Sequence, residues 1–219
     1  MKKIYQVIML CAMSFALAGC GNSLDYKAAV KDGNYEKAHE ILGELHDLYL
    51  AQNDRDVFGI EEYDKVCNNY FSALDYVYGQ EMREIIANDE NCTDKIIFML
   101  SEIPDDGSAS PEGLISYYEA CLGTFTGHDG LPLYRHLCYC DAINKLCDKV
   151  LNSALTLNNE NLARAIVDQY KNNVEVTKGS RDGVEVDSIK VDGNHGYVKY
   201  TNKSKDAALE KVIKKFGNE

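Results

Sequence analysis

Histidines and cysteines are the side chains of this sequence best suited to chemistry. His39-Glu40 and His46 bring two imidazoles within seven residues. The zinc-protease motif needs its second histidine four residues after the first, and that place is Gly43. On a helix, seven residues are two turns, about 10 Å, more than one zinc ion with bonds of about 2 Å can bridge. His136, Cys138 and Cys140 gather soft ligands, but alternate residues of a helix point to nearly opposite sides, which leaves Cys140 and Cys147 on a common face. No Cys-x-x-Cys redox pair occurs. Asp54, Asp56 and Gly59 suit a calcium loop, yet Phe58 and Lys65 fill two of its ligand positions, so a solvated loop is expected. The sequence has no Gly-x-Ser-x-Gly elbow, phosphate-cradling loop or dinucleotide fingerprint. These readings imply no catalytic residue, metal or cofactor, and a chain that is not an enzyme.

The elements that would carry these residues are mostly helices. Tyr26–Leu50 reads as two of them broken at Asp32-Gly33-Asn34, where Gly33 can take the positive φ that ends a helix and Asn34 can cap the next. In the second, Tyr35, Ala38, Ile41, Leu42, Leu45, Leu48 and Tyr49 form one stripe at spacings of three and four. Ile60–Val77 continues the pattern, and Gly79 should kink or divide it from a turn or two at Glu81–Ala87. A short apolar helix is expected over Asp94–Ile103, a loop over Pro104–Ser110 and a capped helix from Pro111 to Leu122. After a loop at Gly127–Gly130 a long helix runs from Leu133 to Leu157.

Beyond Asn173 the period becomes two. Val174-Val176, Val184-Val186, Ile189-Val191 and Val198-Tyr200 alternate with polar residues, and glycines lie between them. A small antiparallel β meander is expected, packed on the helices because so few strands are marginal alone, then a final helix over Lys205–Phe216 with Ser204 at its cap.

Gly33-Asn34-Tyr35-Glu36-Lys37-Ala38, with Ala28-Ala29 before it and Leu42 after, resembles the turn and second helix of a tetratricopeptide repeat. A looser echo lies at Ala154–Tyr170, around Asn158-Asn159-Glu160. The echoes do not follow a 34-residue period. The resemblance covers about a third of the chain and implies an irregular stack of antiparallel helical hairpins, mainly α, over residues 20–173, with the meander and last helix over 174–219.

Residues 1–19 read as an export signal, with Lys2-Lys3 before an apolar run of about 15 residues, too short for a spanning helix. Leu17-Ala18-Gly19-Cys20 resembles the lipobox of bacterial lipoproteins, which implies cleavage before Cys20 and lipid on its sulfur. A stable anchor takes at least two acyl chains, and lipobox processing supplies them. Gly21-Asn22 lacks the aspartate that marks inner-membrane retention in enteric lipoproteins, so the outer membrane is the expected destination.

Without the two signal lysines the formal charge of −12 becomes −14, a surface that repels nucleic acid. Of the eight cysteines, Cys67, Cys92, Cys121, Cys138, Cys140 and Cys147 remain in the fold, either as up to three disulfides or as thiols in helix interfaces. Fifteen tyrosines with no tryptophan suit contact surfaces that are wet when unbound, and Tyr49, Tyr118 and Tyr134 are the expected wall of a partner groove. Asp187-Ser188-Ile189 is similar to the acceptor motif of the general O-glycosylation system of some gut bacteria, which implies sugar on Ser188. The expected function is a membrane-anchored module that binds a peptide or protein in the cell envelope, with small-ligand binding or uptake as the alternative.

Overall fold

The computed structural model describes residues 25–51, 60–104, 131–178, 188–191 and 196–218. Helices dominate: α1 over 25–31, α2 (Tyr35–Ala51), α3 (Ile60–Asn88), α4 (Cys92–Glu102), α5 (Leu131–Thr156), α6 (Glu160–Val167) and α7 (Lys203–Phe216). Three short strands, β1 (Asn173–Lys178), β2 (Ser188–Val191) and β3 (Gly196–Thr201), lie between α6 and α7. The expectation of a mainly helical chain holds. Two compact units, Met1–Glu81 and Met82–Glu219, divide the chain at a point inside α3. The expected export signal, helix from Pro111, loop at 127–130 and strand at 184–186 fall on residues outside those described.

In the first unit, Ala38, Ile41, Leu42, Leu45 and Tyr49 form the buried stripe of α2. Ring contacts fix its partner. Tyr49 stacks on Tyr70 with centroids 5.1 Å apart, and ten residues earlier His39 meets Tyr78 edge-on at 5.0 Å. Residue numbers fall along α2 as they rise along α3, so the two helices run antiparallel. From α1, Tyr26 adds an edge contact to Tyr76 at 5.7 Å. Such pairs stabilise by about 0.5–1.5 kcal/mol beyond the area they bury.

Of the two expectations for Gly79, division of the helix fails: α3 runs unbroken through it. A helical glycine costs about 1 kcal/mol relative to alanine. Against that, Leu74, Val77, Tyr78, Met82 and Ile86 continue one buried stripe across position 79, and breaking the helix would interrupt it.

In the second unit α6 is the hub, with α4, α5 and α7 all against it. Though only 8 residues long, it buries Leu162, Ala163, Ile166 and Val167. The long stripe of α5 (Cys140, Ile143, Leu146, Cys147, Val150, Leu151 and Ala154) is buried too, and α5 is the neighbour that α6 meets most extensively. Helix α7 closes the unit with Ala208 and Val212. It starts at Lys203 with Asn202 in the cap position, which puts Ser204 inside the first turn and not at the cap. Strand order also differs from expectation. A meander would place β2 in the middle, whereas β1 and β2 each pair antiparallel with β3, in the order β1-β3-β2.

Two helix-to-helix turns, one in each unit, are built from the same atoms. In the first, Gly33 takes φ +72°, its N–H bonds Val30 O at 3.0 Å, and Asn34 N–H bonds Ala29 O at 2.8 Å. In the second, Asn158 takes φ 55°, its N–H bonds Leu155 O at 3.4 Å, and Asn159 N–H bonds Ala154 O at 2.9 Å. Both are Schellman closures of the preceding helix. The same asparagine then caps the next helix: Asn34 Oδ1 accepts from Lys37 N–H, and Asn159 Oδ1 from Leu162 N–H, each at 3.1 Å. Ala29, Ala38, Ile41, Leu42 and Leu45 correspond in register to Ala154, Ala163, Ile166, Val167 and Tyr170, and all ten are buried.

Candidate functional site

The expected groove wall is met first by a correction. Tyr49 has 0 % of its surface exposed, enclosed by Tyr70 and by the edge contact with Phe71 at 5.4 Å. Its ring belongs to the core of the first unit, because the α2 stripe that carries it is the stripe that faces α3. Tyr118 lies outside the described residues, and Tyr134 lies on α5 with its side chain outside them.

His39 and His46 go to different neighbours. The Nε2 of His39 stands 2.7 Å from Glu81 Oε2 in a half-buried pair. The ring of His46 packs on Tyr70 at 5.2 Å. Glu81 lies 42 positions beyond His39, so only the antiparallel packing of α2 and α3 brings the pair together. An imidazole held by a carboxylate has a fixed orientation and can exchange a proton with a neighbour.

Polar groups gather in the second unit along α5. Asn144, only 5 % exposed, grips the backbone of Lys171: its Oδ1 accepts the Lys171 N–H at 2.8 Å and its Nδ2 donates to Lys171 O at 3.2 Å. Four residues on, Asp148 accepts the Tyr170 hydroxyl proton at 2.9 Å. Burial, then this hydrogen bond, pushes the Tyr170 phenol well above its ordinary range. Between them lies Cys147, whose thiol is pushed up to about 12, first by burial and then by the Asp148 charge. A thiol so protonated is inert as a nucleophile and serves packing.

The remaining cysteines sort by neighbour. Cys92 and Cys147 are free thiols, which excludes three disulfides among the six. Asn159 Nδ2 donates to Cys92 Sγ at 3.3 Å, tying the start of α4 to the α5–α6 turn. Cys140, buried, has its Sγ 3.4 Å from Nε2 of the half-buried His136 one turn earlier. The alternation of His136, Cys138 and Cys140 in sequence hides this pair, which the four-residue spacing places on one helical face. Cys67 is buried on α3, and Cys121 lies outside the described residues.

No family profile, curated protein or solved structure matches the chain. Chemical meaning therefore rests on the side chains themselves. Among the described residues no group of three or more His, Cys, Asp or Glu is placed to hold a metal ion. Cys20 falls outside the described residues, and among those described no helix is long and apolar enough to cross a membrane. Ser188 begins β2 opposite Lys199 of β3. Among the described residues of the second unit, Phe98 on α4 at 63 % and Leu157 in the α5–α6 turn at 55 % are the most exposed large apolar side chains.

Proposed function

We propose that this chain is a lipid-anchored, non-catalytic interaction module of a bacterial cell envelope, held to the membrane through Cys20 and binding a peptide or protein partner. The observation that carries the reading is the twice-used hairpin. The same Schellman closure, asparagine cap and five buried positions recur in the two units. Reuse of one helical hairpin is the habit of tetratricopeptide-like stacks, whose exposed faces serve as contact surfaces. The exposure of Phe98 and Leu157 at and beside the second hairpin supports a contact there, since apolar surface gains free energy when a partner takes it out of water. The lipobox resemblance supports an anchor in the envelope, with the outer membrane preferred, and the Asp187-Ser188-Ile189 resemblance supports a sugar on Ser188.

Crosslinked pull-down of the full lipidated protein from intact membranes tests this. The expected result is a partner recovered by the wild type, absent from a control carrying only the signal and lipid anchor, and reduced at least tenfold in F98A/L157A. Equal recovery by the control, or by the double variant with its helical circular dichroism intact, overturns the reading. Failure of cells to incorporate labelled palmitate at Cys20 removes the anchor.

A further inference from the structure

We propose that His136 and Cys140 form a two-donor clamp for one soft divalent metal ion, zinc in the first instance. The pair is spaced four residues apart on α5, so both side chains lie on one face of the helix, one turn apart. Their donor atoms, Cys140 Sγ and His136 Nε2, are 3.4 Å apart. With Zn–S of about 2.3 Å and Zn–N of about 2.0–2.1 Å, donors at that separation subtend about 100° at the ion, near the tetrahedral angle of about 109°. The two atoms thus already stand at the bite one tetrahedral ion requires.

Donor chemistry selects the metal. A thiol with an imidazole suits zinc and its softer neighbours over calcium or magnesium, which take oxygen ligands. On binding, the Sγ–H bond breaks, its proton leaves to solvent, a Zn–S bond forms, and the Nε2 lone pair completes the second bond while the ring proton stays on Nδ1. Half-buried His136 gives the ion its approach, and Cys140, 5 % exposed, forms the inner side. Among the described residues no third donor joins the pair, and water or another donor fills the remaining coordination positions. A site of this kind binds less tightly than a closed four-ligand structural site and stays open to exchange.

Cobalt(II) titration of the full chain in detergent, under reducing conditions, tests the clamp. One equivalent should produce a thiolate-to-cobalt charge-transfer band that added zinc bleaches. The band should vanish in C140A, weaken at least tenfold in apparent affinity in H136A, and persist in C138A. A second measurement does not depend on C140A folding: zinc should slow alkylation of Cys140, read by mass spectrometry, at least tenfold in the wild type and not in H136A. The proposal is overturned by a titration without a charge-transfer band, by cobalt affinity in H136A within threefold of wild type, or by equal zinc protection in the two proteins.

Discussion

Replacing Asn144 with alanine should cost the second unit about 2–3 kcal/mol. The side chain makes two hydrogen bonds to one residue, at 2.8 Å and 3.2 Å, from a position only 5 % exposed. Each such bond contributes about 1 kcal/mol net, and the vacated space adds a further fraction. The bonds hold Lys171, just past the end of α6, against the middle of α5, so losing them also frees the lead into β1. Aspartate at the same position keeps the acceptor for the Lys171 N–H but sets a carboxylate against the Lys171 carbonyl, and N144D should be at least as damaging as N144A. Urea unfolding followed by circular dichroism reads the loss directly, with a companion fall in melting temperature on the order of 5–10 °C. A loss below about 0.5 kcal/mol in N144A would show that water replaces the amide without penalty and that the grip on Lys171 holds nothing in place.

Two further outcomes follow from the turns and the buried thiol. A Cβ at Gly33 would meet nothing within 4 Å, so G33A should cost only the strain of φ +72°, about 1 kcal/mol, while N158G at φ 55° should be neutral or slightly stabilising; thermal melts of the two variants check the contrast, and equal losses would sink it. Cys147 gives alkaline sensitivity: its thiol, ordinarily at 9.0, is pushed up to about 12 in the folded chain. Between these values the unfolded chain has lost that proton and the folded chain retains it, so stability is fully present below about pH 9 and falls by about 1.4 kcal/mol per pH unit above it. Urea midpoints from pH 8 to 10 should show this slope in the wild type and a shallower one in C147A; parallel slopes would refute it.

Local chemistry was readable where one residue decides the backbone. Gly33 and Asn34 announce the first turn because positive φ and a side-chain cap are properties of those residues alone, and the apolar spacing of α5 announces its buried face. What stayed hidden depends on distant partners. Gly79 reads locally as a break, yet the buried stripe on either side of it keeps α3 whole. Tyr49 reads equally well as core or as contact surface until Tyr70 and Phe71 are seen beside it. Glu81 could not be assigned to His39 before α2 and α3 were known to run antiparallel. Hydrophobic alternation marks strands but says nothing of their order, and hence the sequential meander gave way to β1-β3-β2. The His136–Cys140 spacing was open to inspection throughout and needed only the four-residue rule of helices.

Helix α6 is two turns long, and a segment of 8 residues does not persist as a helix in water by itself. It nevertheless touches α4, α5 and α7, so three larger pieces depend on one that cannot form ahead of them. Assembly of this region is therefore a collective event with no durable sub-fragment, and a protease severing the backbone at Leu157–Asn159 would release not a loop but the keystone of the whole half.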